Sequence, residues 1–94
     1  MRVELEFEWN VTKARTNLSK HGVSFAEAST VFGDPLSLTE EERGPHREIR
    51  LYTLGSPASG RLLLVVHVDR GDRIRIISAR APTRRERRMY EQGK

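Results

Sequence analysis

The stretch Arg73-Ile74-Arg75-Ile76-Ile77-Ser78-Ala79-Arg80, running on through Ala81-Pro82-Thr83 into Arg84-Arg85-Glu86-Arg87-Arg88, decides how this chain reads. Ile and Arg alternate over residues 73–76, the period-2 pattern of a strand with one apolar and one charged face. Thr83 followed three residues later by Glu86 is a capping box, and Pro82 is tolerated at a helix entry. The segment is therefore a strand that carries arginines to one end of a sheet, then a basic helix with Met89 as its expected inward anchor. Arginine dominates over lysine, and the planar guanidinium fork suits bidentate binding of phosphate. Phosphodiesters are the ligand class this predicts.

The 94 residues predict a single small domain over 1–94. With no cysteine there is neither a disulfide framework nor a thiolate metal site. No apolar run is long enough for a membrane span or a signal peptide, so a soluble, cytoplasmic protein is expected. The net charge of +4 is uneven: residues 1–47 carry 6 Lys/Arg against 8 Asp/Glu, and residues 48–94 carry 11 against 5. The basic half is the expected binding half, and nucleic acid is favoured over an acidic protein as its partner.

Upstream of the decisive stretch, strands are expected over 47–54 and 61–68. The connections Gly55-Ser56-Pro57-Ala58-Ser59-Gly60 and Asp69-Arg70-Gly71-Asp72 carry hairpin chemistry. Val3, Leu5 and Phe7 alternate with Glu4, Glu6 and Glu8, as in an edge strand whose charges discourage pairing with other chains. Asn10 is an N-cap for a helix over 11–20 that stops at Gly22. Ser24 and Glu27 form a second capping box, for a helix to about residue 32 that buries Phe25, Ala28 and Phe32. Asp34-Pro35 ends it and begins a short strand through Leu36 and Leu38, followed by a charged loop over 40–46.

Strand parity places Ile49, Leu51 and Thr53 on one face, with Leu62, Leu64, Val66 and Val68, and with Ile74, Ile76 and Ser78. The opposite face collects Glu48, Arg50, Tyr52, Arg61, His67, Arg73 and Arg75. With Leu51 opposite Leu64 and Val66 opposite Ile76, Glu48 stands beside His67, and His67 beside Arg75. Such a row supplies metal-free RNA cleavage with a base for the 2′-hydroxyl, an acid for the leaving oxygen and cations for the phosphorane. Glu48 or His67 would act as base or acid, and Arg50, Arg75 and Arg80 would hold the phosphate. A solvated salt-bridge ladder fits the same row. Arg80 reaches it only if the strand ends or bulges near Ala79.

Lys20 and His21 at a helix C-terminus offer cations to RNA, though the helix dipole alone also favours them there. Tyr90 offers a phenolic proton, but reads more simply as a packing residue with a wet hydroxyl. No metal-ligand spacing links His21, His46 and His67, so no metal or other cofactor is expected. Neither a phosphate-binding glycine loop nor a nucleophile elbow is present.

Phe7-Glu8-Trp9-Asn10, Lys13, Asn17, Lys20-His21-Gly22-Val23-Ser24-Phe25, Glu27-Ala28, Val31-Phe32, Asp34-Pro35, Glu48, Arg50, Leu54-Gly55, Gly60-Arg61-Leu62-Leu63 and Arg75-Ile76-Ile77-Ser78-Ala79-Arg80, followed by Arg84-Arg85-Glu86-Arg87, resemble the BrnT toxins of bacterial type II toxin-antitoxin systems. The resemblance covers nearly the whole chain. It implies a RelE-like α+β fold, mostly an antiparallel sheet with N-terminal helices and a C-terminal helix. It further implies a metal-independent endoribonuclease that arrests translation, and a BrnA-like antitoxin through which the complex binds operator DNA. The matched positions that inherit a role are Glu48, Arg50, Arg75 and Arg80, with Lys20, His21 and Arg61 as secondary RNA contacts beside Arg84 and Arg85; His67 rests on parity. Asn10 stands where the family usually has Asp, and 40–46 lack its usual Asp-x-x-His-Ser pattern. The alternative is a non-catalytic RNA- or protein-binding module using the same basic face.

Overall fold

A computed structural model describes residues 5–42, 44–45 and 48–93; Val3 and Glu4 of the expected edge strand, and His46 and Arg47, lie outside them. Helix α1 (Val11–His21) is bracketed as its ends require. The Asn10 side chain accepts the Lys13 N–H at 3.0 Å, and Gly22, at φ 68°, donates its N–H to the Leu18 carbonyl. Ser24 caps α2 (Phe25–Ser29) by accepting the Glu27 N–H, but the Glu27 carboxylate turns to Arg61 and Ser59 instead of closing the box. The chain then tightens into a 3-10 turn over Thr30–Gly33, where a helix to about residue 32 was expected. Ser29 and Thr30 return their hydroxyls to the Ala26 and Glu27 carbonyls as it tightens.

Among the described residues five strands follow the order β1-β5-β4-β3-β2: β1 (Glu6–Glu8), β2 (Leu38–Glu42), β3 (Arg50–Gly55), β4 (Leu63–Arg70) and β5 (Arg73–Arg80). The β1–β5 pairing is parallel and the other three described pairings are antiparallel. Helix α3 (Arg84–Gln92) closes the chain behind the complete capping box of Thr83 and Glu86. The β4–β5 hairpin turns on Gly71-Asp72, and Gly71 takes the positive φ of 67° that such a tight turn demands.

Two expectations at β2 are corrected. Leu36 is exposed and outside the strand, and Glu40 to Glu42 continue the strand instead of forming a loop. A run of acidic side chains suits this strand because it is the sheet's outer edge.

The register also differs from expectation. Leu51 faces His67, Leu54 faces Leu64, Val66 faces Ser78 and His67 faces Ile76. Strand β4 is apolar on both faces and buried along Leu63 to Val68, so alternation could not reveal which face meets the helices. A β-bulge opposite Val66 and His67 leaves Ile77 as the extra residue and reverses the parity of Ser78 to Arg80.

The sheet face under α1 and α2 holds the main core: Val23, Phe25, Ala28, Val31, Leu63, Val65, Ile76 and Ala79, with Phe7, Trp9, Ala14 and Phe32 packed against it. Full burial of a side chain such as Phe25 contributes about 1.5–3 kcal/mol. Asn17 is buried here and clamps α1 to β5, donating to the Val23 and Ala79 carbonyls and accepting the Ala79 N–H. The other face is covered at one end only, where α3 sets Tyr90 against Leu54, Leu62 and Leu64. Tyr90, 7% exposed, and not Met89, 39% exposed, is the anchor of α3. Its hydroxyl donates to Asp34 Oδ2 at 2.6 Å, and the same carboxylate takes the backbone N–H groups of Leu36 and Ser56. That carboxylate holds the Tyr90 phenol above its ordinary pKa.

Candidate functional site

The open part of the second face brings arginines, carboxylates and a phenol together. Beyond the bulge, Ser78 and Arg80 point to the same side as Arg73 and Arg75, because Val66 pairs with Ser78 and Val68 with Arg75. Arg80 thus joins the charged face by the bulge that the sequence required of it. From β3, Tyr52 shares this face through its pairing with Val66, and β2 adds Glu40 opposite Tyr52 and Glu42 opposite Arg50.

The Tyr52 hydroxyl donates to Glu42 Oε2 at 2.8 Å. That bond first, then burial, pushes the phenol above its ordinary pKa of 10, while the charges of Arg50 and Arg80 pull it back. Tyr52 is therefore protonated at neutral pH, with its hydroxyl donating to Glu42. Arg80 grips Glu86 with both terminal nitrogens, at 2.8 and 3.1 Å, and Glu86 also accepts the Thr83 N–H. The Arg80 bond is the main reason that the Glu86 carboxyl is held below its usual range. The capping box of α3 and the placement of Arg80 are one structure. Beside it, Tyr52, Glu42 and Glu86 form one end of a cavity of about 570 Å³ between β2 and α3.

The remaining predicted residues divide. Glu48 meets Arg70 at 3.7 Å rather than His67. Arg75 binds Glu8 at 2.8 Å and Arg73 meets Glu6 at 3.4 Å, so this end of the face is the salt-bridge ladder. Arg61 holds Glu27 and the Gly22 carbonyl, and with the Ser59 contact it draws the Glu27 carboxyl down to about 2. It locks the β3–β4 loop onto the α1–α2 junction. Lys20 and His21 line a groove of about 250 Å³ with Lys13 and Ser78, alongside β5. Arg84 and Arg85 are exposed on α3, and Arg85 borders the larger cavity.

His67 is not on the charged face. It is 3% exposed in the helix-covered layer, with its ring edge-on to Phe32 at 4.8 Å between centroids. Its Nε2 meets Thr53 Oγ1 at 2.7 Å, which meets Thr39 Oγ1 at 2.8 Å; its Nδ1 has no hydrogen-bond partner among the described residues. Burial lowers its pKa, opposed by the charge of Asp69, so the ring is neutral at pH 7. The proposed Glu48–His67–Arg75 row does not exist. Parity puts Tyr52 on the charged face, where the structure has it, and Glu42 ends strand β2 instead of lying in a loop.

A family model described as the ribonuclease toxin BrnT of type II toxin-antitoxin systems matches residues 9–86. The chain belongs to the BrnT family. Among solved structures it is similar to the Brucella abortus ribonuclease toxin BrnT, with 20% identity and a TM-score of 0.63 over 86% of this chain and all of that one. At that identity the likeness concerns the fold, and it agrees with the three helices and mostly antiparallel sheet found here. No curated protein matches the chain. The BrnT match spans Arg50, Tyr52, Arg80 and Glu86 and stops before Tyr90, the residue that docks α3. No helix among the described residues is long and apolar enough to cross a membrane.

Proposed function

We propose that the chain is the toxin of a type II pair that cuts RNA without a metal, by attack of the RNA's own 2′-hydroxyl. The observation that carries the reading is the phenol of Tyr52, hydrogen-bonded to Glu42 on the sheet face that Arg50 and Arg80 share. The two guanidinium groups hold the phosphate and stabilise the charge that grows on its oxygens. Glu42, which accepts the Tyr52 hydroxyl on this face, is the carboxylate assigned as base.

Glu42 takes the 2′-hydroxyl proton as that oxygen bonds to phosphorus, the P–O5′ bond breaks, and Tyr52 gives its proton to the departing 5′-oxygen. Products are a 2′,3′-cyclic phosphate and a 5′-hydroxyl. The proton then passes from Glu42 to the phenolate along their 2.8 Å hydrogen bond, which resets the site. Arg75 lies farther along the same side and extends the track for RNA, with Glu48 paired to Arg70 at its margin. Lys20, His21, Arg84 and Arg85 supply peripheral contacts. Cleavage would arrest translation in the cytoplasm, and a BrnA-like antitoxin, which also binds operator DNA, would cover the face.

The test is antitoxin-free protein with RNA in EDTA, alone and with translating ribosomes. Cleavage to cyclic phosphate is expected, lost in Glu42→Gln and absent with an all-2′-deoxy analogue. Equal cleavage of the deoxy analogue sinks the mechanism. Full cellular toxicity in Glu42→Gln with RNA binding intact would instead identify a non-catalytic binding module.

A further inference from the structure

The cavity between β2 and α3 extends beyond the residues that the cleavage chemistry uses. Its volume of about 570 Å³ falls within the roughly 300–1,000 Å³ of small-molecule sites. Leu38, Leu54, Leu64 and Met89 give it apolar surface, and Glu40, Glu41 and Arg85 add charge at its wall. Tyr52, Glu42 and Glu86 belong to both the cavity and the reacting cluster. Whatever fills it is adjacent to the phosphate held by Arg50 and Arg80.

Resting on the ribonuclease reading, we propose that this cavity is a nucleobase subsite for the nucleotide beside the scissile phosphate, and that Glu40 selects guanine. A base has two apolar faces and a polar edge, which matches apolar side chains bordered by a carboxylate. Glu40 pairs with Tyr52 across β2–β3, so its carboxylate stands on the same face as the phenol. An ionised carboxylate only accepts hydrogen bonds. Guanine presents two neighbouring donors on its Watson–Crick edge, N1–H and the N2 amino group, and so engages both carboxylate oxygens. Adenine and cytosine set a ring acceptor beside their amino group, and uracil sets carbonyls on both sides of its one N–H, so each meets the carboxylate less well.

The test uses nucleotides that lack a scissile bond, so binding is read apart from cleavage. The full-length protein, carrying a 13C-methyl label on methionine, is titrated with 3′-GMP, 3′-AMP, 3′-CMP and 3′-UMP while the Met89 signal is followed. A saturable Met89 shift is expected with 3′-GMP, at about tenfold or more lower concentration than with the other three. In Glu40→Gln that preference should collapse toward parity, and cleavage-site mapping on RNA should lose a guanine bias beside the cut. No nucleotide-dependent Met89 shift, or an identical response to all four, overturns the proposal. A Met89 shift with the cognate antitoxin and with no nucleotide also overturns it and gives the cavity to the protein partner. Guanine-selective binding without RNA cleavage, with or without ribosomes, would keep the subsite and defeat the ribonuclease reading instead.

Discussion

His67 and Tyr52 stand one position out of register on adjacent strands, since Tyr52 pairs with Val66, and the one-residue offset puts them on opposite faces of the sheet. One ring lies among Phe32, Thr53 and the helices; the other is half-buried against the Leu54, Leu62 and Leu64 cluster, with its hydroxyl on Glu42. Burial makes the histidine a weaker base, whereas a neighbouring carboxylate keeps the tyrosine protonated. The residue type best known for proton transfer serves the core here, and a residue type more often found packing stands where chemistry is possible. Accessibility beside cations, more than intrinsic pKa, separates the two.

The strongest test of that contrast is paired substitution. Tyr52→Phe should lower RNA cleavage about 100-fold or more while leaving the melting temperature nearly unchanged. His67→Gln, which retains a polar atom toward Thr53, should leave cleavage per folded molecule within about threefold. The reverse pattern would return catalysis to the helix-covered face.

A second substitution probes how the covered face holds the open one. Asn17→Ala strands the Ala79 N–H and carbonyl in the core and should cost about 1–3 kcal/mol in urea unfolding. Because Ala79 precedes Arg80, cleavage should fall along with stability. Unchanged stability would show that Asn17 does not clamp β5.

The smallest expected effect is in pH. The folded state resists protonation of His67, so its contribution is full above the ordinary pKa of 6.5 and falls below it, as the unfolded chain takes up the proton first. The decline is about 1 kcal/mol per pH unit until the folded ring also protonates. Melting at pH 7.5 and 5.5 should show the loss, and His67→Gln should remove it. Glu27 acts in a separate window: its contribution holds above 4.5 and is lost as pH falls toward about 2.

Local signals were legible in the sequence. Asn10, Gly22, Ser24 and Thr83 each act within a few residues of chain, and each stands at the helix end assigned to it. What failed needed information from across the sheet. Strand β4 is apolar on both faces because helices cover it from both sides at one end, so alternation could not orient His67. Glu40 to Glu42 read as a loop because charge runs usually do, yet an edge strand tolerates charge. Met89 and Tyr90 are adjacent on α3, and the partner that chose between them, Asp34, lies 56 residues away. The family resemblance supplied Arg50 and Arg80, but neither Tyr52 nor Glu42 was among the residues that carried it.

The extra residue at Ile77 lets β5 absorb one residue of chain while the pairing on either side of it is kept. Ile76 stays opposite His67 and Ser78 opposite Val66, the arrangement of an unbulged strand one residue shorter. Deleting Ile77 would therefore straighten β5 and leave Arg80 opposite Leu64, whereas flattening the bulge with Ile77 retained would turn Arg80 toward the helix-covered core. The side on which the strand's last arginine stands is thus held by local pairing and not by a count of residues along the chain.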